Sequence, residues 1–72
     1  MNKSEIIKQI KDLSGFNSSD ATMAINVVQE ILTTSLSKGE KITIPNFGTF
    51  EVENTKIIFK PSKNLLKSIN SL

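Results

Sequence analysis

The chain has 72 residues with no cysteine and no histidine, which excludes a disulfide staple and makes a structural zinc site untenable. Its net charge of +2 comes from nine lysines against seven acids with no arginine, too mild a balance to indicate a nucleic-acid partner by itself. Unbroken apolar runs reach only two or three residues, so no membrane span is expected. Met1-Asn2-Lys3 leads into an amphipathic pattern carrying acids, not into a signal peptide, and a cytoplasmic protein is expected. One domain spanning 1–72 is the simplest organisation. A chain of this size buries only about 60% of its unfolded surface, so self-association is expected to complete the core.

Asn2-Lys3-Ser4-Glu5 has the form of a capping box, with Asn2 accepting from a free backbone N–H and Glu5 reaching back. Ile6, Ile7, Ile10 and Leu13 then share one helical face, and Lys8, Lys11 and Asp12 the other. Gly15 supplies a left-handed stop, which predicts a helix from about Lys3 to Ser14. Asn17 or Ser18 caps the next helix, with Asp20 in its first turn. Ala21, Ala24, Ile25, Val28, Leu32 and Leu36 make its apolar stripe, widened by Val27 and Ile31, and Gly39 ends it. Such breadth predicts contact on two sides, with the first helix and with the sheet or a second subunit. Packing under the sheet within one chain is the simpler alternative.

The stretch Gly39–Glu53 organises the remainder. Ile42 and Ile44 alternate with polar residues, as do Phe50 and Val52, which predicts two strands with one buried face. Pro45 and Asn46 break the first strand, and Gly48 allows a close backbone approach. After the short polar turn Asn54-Thr55, Lys56–Lys60 reads as a third strand with Ile57 and Phe59 inward, forming a hairpin with the second. Pro61 closes it. Ser62 caps a last short helix with Leu65, Leu66 and Ile69 inward. The fold class is α+β: two N-terminal helices, a three-stranded antiparallel sheet and a short C-terminal helix.

No enzymatic chemistry is indicated. There is no histidine or cysteine to act as base or nucleophile, and the glycines at 15, 39 and 48 are too scattered for a phosphate loop. Glu51 and Glu53 share a strand face, which reads as the solvated side of the sheet, not as a catalytic pair. Neither a metal nor a cofactor is expected. Lys56, Lys60, Lys63 and Lys67 fall within twelve residues, with no acid after Glu53. Lys63 lies in the first turn of the last helix, where free N–H groups favour a phosphate. A lysine there is a point charge that positions a backbone phosphate without reading bases. A solvated helix face explains the same lysines almost as well.

The opening Asn-Lys-Ser-Glu, Gly15, Gly39-Glu40-Lys41, Phe47-Gly48-Thr49-Phe50 and Phe59-Lys60-Pro61-Ser62-Lys63 together resemble the HU/IHF family of bacterial histone-like DNA-binding proteins. The resemblance implies an intertwined homodimer with helices at its base and a saddle of strands against double-stranded DNA. The dimer core is expected at Ile25, Val28, Leu32, Phe47, Phe50 and Phe59, which with Ile31 are more apolar surface than a 72-residue monomer readily covers. The resemblance further implies two long β-arms that wrap the minor groove and insert a proline wedge. Here the arm, normally about twenty arginine-rich residues, is reduced to Glu53-Asn54-Thr55-Lys56. Asn46 and Ser62 stand where the family favours glycine, and Leu66 where a lysine is common. What remains of the phosphate surface is Lys3, Lys60 and Lys63, with Lys56 and Lys67 nearby. The expected function is weak, sequence-nonspecific DNA binding at the nucleoid with little bending. The alternatives are a module that pairs, as a heterodimer, with a full-length HU-type partner and modulates it, or an architectural domain that has lost DNA binding.

Overall fold

The computed structural model describes residues 1–71 and divides into two compact units, Met1–Ile31 and a second that begins at Leu32. The element order is α1 (Lys3–Ser14), α2 (Ser18–Ser37), β1 (Ile42–Ile44), β2 (Gly48–Glu53), β3 (Lys56–Pro61) and α3 (Lys63–Asn70).

In the first unit, the helix boundaries follow from side-chain caps. Asn2 Oδ1 accepts from the Glu5 backbone N–H at 3.0 Å, which is one half of the expected capping box. Gly15 stops α1 at φ 79°, and its N–H returns to the Lys11 carbonyl. The Ser14 hydroxyl donates to the Ile10 carbonyl and accepts from the Phe16 N–H, which turns the chain out of the helix. Asn17, one of the two candidates, caps α2 through the Asp20 N–H at 2.8 Å. Ile6, Ile7 and Ile10 are half-buried and Ala21 is fully buried. Leu13 departs from its predicted face. It is 87% exposed, in the last turn of α1 just before Gly15; its spacing marks an apolar stripe but does not say that this chain covers it.

The second unit holds the end of α2 and the sheet. Gly39 (φ 76°) donates to the Leu36 carbonyl and Glu40 to the Ser35 carbonyl, the paired bonds of a Schellman stop. The sheet order is β1-β2-β3, antiparallel throughout. Asn46 takes φ 66° in the turn between β1 and β2, the left-handed conformation that asparagine adopts more readily than most residues. β2 and β3 are joined by Asn54-Thr55 alone, since Glu53 already pairs with Lys56. The register sets Phe50 opposite Phe59 and Val52 opposite Ile57.

The three ring centroids of Phe47, Phe50 and Phe59 lie 4.8 to 6.3 Å apart, within range of favourable tilted contacts. Gly48 makes this cluster possible. A Cβ there would stand 2.6 Å from the Phe59 ring and from the Lys60 carbonyl oxygen. Yet the apolar face is not closed. Phe47 is 41% exposed and Phe59 37%, and Ile57, expected inward, is 67% exposed. Ile57 pairs with Val52 next to the hairpin turn. It lines an open apolar groove of about 330 Å³ with Leu32, Leu36 and Val52. In α3 only Leu65 is half-buried; Leu66 and Ile69, also expected inward, are 44% and 55% exposed. Their helical spacing defines an apolar face that stays exposed among the described residues.

Candidate nucleic-acid interface

The basic residues of the second unit are placed by the hairpin and by the start of α3. Lys56 opens β3 opposite Glu53, and Lys60 pairs in register with Thr49. Ser62 then caps α3 by accepting from the Leu65 N–H at 3.1 Å. That cap leaves the N–H groups of Lys63 and Asn64 directed outward at the positive end of the helix, with no acid in the first turn. Lys63 and Lys67 are separated by four residues and therefore share a face of α3.

Two hydrogen bonds hold this helix start against the ribbon. The Ser62 N–H donates to the Phe47 carbonyl at 2.9 Å, and the Asn64 side-chain amide donates to Asn46 Oδ1 at 2.5 Å. The second bond was not legible beforehand, because neither asparagine is part of a local motif that points to the other.

The electrostatics on the polar face of the sheet correct one expectation. Glu51 is not a freely solvated carboxylate: its side chain is only 17% exposed. Its Oε1 meets Lys60 Nζ at 2.5 Å, and its Oε2 meets Lys41 Nζ at 3.7 Å. The hydrogen bond from Lys60 is the main reason that the Glu51 carboxyl is held below the ordinary carboxylate range, against a smaller opposing effect of desolvation. The same bond raises the Lys60 ammonium above its ordinary value. The missed signal lay in the pairing. With Thr49 opposite Lys60, Glu51 is the diagonal neighbour two residues along, within reach of a long side chain.

Among the described residues, Lys41 and Lys60 form the ion pairs, whereas Lys3, Lys56, Lys63 and Lys67 form none. The structure thus brings Lys60, Lys63 and Lys67 into one segment running from β3 into α3, with Lys56 at the far end of β3. Lys3 is the first residue of α1 in the other unit and is exposed there. Of the expected dimer-core residues, Ile25, Leu32 and Phe50 are half-buried, and Val28, Phe47 and Phe59 are exposed. No group of three or more acidic side chains suited to a metal is present among the described residues.

Comparison with known proteins adds three findings. The model of the family described as "Bacterial DNA-binding protein" matches residues 1–57. The DNA-binding protein HU of Geobacillus stearothermophilus is 42% identical over 52 residues, which cover 72% of this chain and 58% of that protein. The DNA-binding protein HU 2 of Bacillus phage SPbeta is 36% identical over 52 residues, 72% of this chain and 56% of that one. The chain therefore spans less than two thirds of the length of the curated relatives it matches. Among solved structures, HU from Thermotoga maritima is similar with a TM-score of 0.89 and 36% identity, covering 96% of this chain and 98% of that chain. A mutant of HU from Thermotoga maritima gives a TM-score of 0.92 at 37% identity over 96% and 99%. The arrangement of three helices and a three-stranded antiparallel sheet is the HU fold.

Proposed function

Because the chain belongs to the bacterial DNA-binding protein family, we propose that it binds double-stranded DNA as a histone-like protein of the nucleoid in the cytoplasm, acting as one domain over 1–72. The role is binding, not catalysis. The observation that carries the reading is the start of α3, where Lys63 stands at the positive end of a helix that is capped by Ser62 and carries no acid in its first turn. Contacts of this kind grip phosphate and hold no sequence information. Lys3 and Lys60 add to them, with Lys56 and Lys67 on the flanks.

Binding is weak, because the phosphate surface consists of a few lysines and one of them already has a carboxylate partner. Bending is slight. β2 and β3 meet through the two-residue turn Asn54-Thr55, with no extension there to wrap the groove or wedge a base step.

The binding species is a homodimer. Among the described residues Ala21 is the fully buried apolar side chain, while Val28, Phe47 and Phe59 are exposed, so their core is open. A second copy covers Ile25, Val28, Leu32 and the phenylalanine cluster. The same open apolar face supports a second reading, in which the chain pairs with a full-length HU-type protein and weakens its hold on DNA. Glu51, which occupies Lys60, favours that reading.

A duplex titration at two salt concentrations, with the protein alone and then mixed with a full-length HU, separates the two. Salt-dependent binding by the protein alone supports the first reading. No binding alone, with loss of the partner's binding on mixing, replaces it with the second.

A further inference from the structure

Glu51 places a carboxylate under two of the basic side chains on the polar face of the sheet. It is the more enclosed partner, with 17% of its side chain exposed against 64% for Lys60 and 65% for Lys41. The exposed lysine heads remain reachable from outside while the carboxylate holds them from below. Each carboxylate oxygen takes one ammonium, Oε1 that of Lys60 and Oε2 that of Lys41. The three groups together carry a single net positive charge. Glu53 lies on the same strand face and adds to the negative field at Lys60, whereas Thr49, directly opposite Lys60, contributes a neutral hydroxyl.

A phosphate that approaches this face meets a lysine whose charge is already compensated. To bond Lys60 closely, it must displace Glu51 or share the ammonium with it. We propose that Glu51 is an internal competitor for phosphate, a positioning residue that sets the affinity of the chain for DNA by occupying Lys60 and, more loosely, Lys41. This rests on the reading of the chain as a DNA-binding dimer. The ligand is the phosphodiester backbone, from which the carboxylate withholds Lys60. The charge-neutral variant Glu51→Gln keeps the side-chain shape and releases Lys60.

The salt dependence of binding reads the competition directly. With Lys60 engaged by Glu51, Lys3 and Lys63 of two subunits neutralise about four phosphates, and log K falls against log salt with a slope of about −3.6. Releasing Lys60 raises the count to about six and the slope to about −5. An exposed ion pair is worth only a few-fold in an equilibrium constant, so two of them give a gain on the order of tenfold at low salt. Damage to the fold would weaken binding, the opposite direction.

The experiment measures full-chain wild type, Glu51→Gln, Lys60→Gln and the double variant on one duplex across a salt series, with melting curves for each. The inference holds if Glu51→Gln tightens binding and steepens the slope and the double variant with Lys60→Gln loses that gain. Carbon-13 NMR of the Glu51 carboxyl gives a second readout: in saturating duplex its pKa should stay below the ordinary carboxylate range, because Lys60 remains with it, and a rise would count against the inference. Wild type that binds with a slope near −5, or Glu51→Gln that binds no tighter, overturns the inference and leaves DNA binding intact. A chain that binds no duplex at low salt in any of the four forms overturns both.

Discussion

Asn64, the second residue of α3, donates its side-chain amide to Asn46, the left-handed residue of the β1–β2 turn, across 18 positions of sequence. One turn residue therefore serves two purposes. It satisfies the backbone at φ 66°, and it fixes the helix start that carries Lys63. Asn46→Ala should lose about 1–2 kcal/mol from the left-handed backbone, with about 0.5–1 kcal/mol more from the missing bond. Asn64→Ala should lose only the smaller amount, and Asn46→Gly should behave like Asn64→Ala. Urea midpoints for the three variants test this, and equal losses for Asn46→Ala and Asn64→Ala would disprove it.

The exposed apolar side chains predict association. Sedimentation at micromolar concentration should show a dimer, with melting temperature rising with protein concentration. Phe50→Ala should cost about 3–5 kcal/mol if its ring is fully packed in the dimer. A stable folded monomer at micromolar concentration would remove the basis for this expectation.

Phosphate contact at the start of α3 has its own signature in salt. Lys63→Ala, present in both subunits, should flatten the salt slope by about two units and weaken all sequences alike. Lys8→Ala, on the exposed face of α1, is the control and should change nothing. Equal effects at Lys8 and Lys63 would show that the helix start has no special part.

The tight hairpin predicts nearly straight DNA in the complex. Energy transfer between dyes at the two ends of a short duplex should change little on binding, because no wrapped surface compensates for unstacking. A large end-to-end shortening would mean that the body of the fold bends DNA by itself.

The Glu51–Lys60 pair also makes stability depend on pH. Glu51 has a folded pKa below its ordinary 4.5, so its contribution is complete above that value and is lost as pH falls through the lower folded one. Lys60 has a folded pKa above its ordinary 10.5, so its contribution is complete below that value and is lost as pH rises through the higher one. Thermal melts of wild type and Glu51→Gln should differ by a constant between these limits and converge outside them. A difference that persists unchanged into strong acid would point to packing instead of charge.

The helix ends were legible because their signals are local: Asn2, Gly15, Asn17, Gly39 and Ser62 each act within five residues of their own positions. The hairpin was legible for the same reason, since only Asn54 and Thr55 separate its strands. Glu51 was misread because its partners come from two other segments, and strand alternation alone says which face a side chain occupies, not what shares that face. Leu13, Ile57, Leu66 and Ile69 were misread for a related reason. Periodicity identifies an apolar stripe, but it cannot say whether the covering surface belongs to the same chain.

The two-residue turn at Asn54-Thr55 has an evolutionary consequence. It lies at an exposed tip, past the last paired residues Glu53 and Lys56, so added residues there would interrupt no ladder bond. Closing a longer loop costs only about 0.6 kcal/mol for each doubling of its length. The hairpin tip is therefore a junction at which segments can be gained or lost while the register from Gly48 to Pro61 stays as it is. Lineages built on this body can differ greatly in how far the hairpin extends without any change to the scaffold beneath.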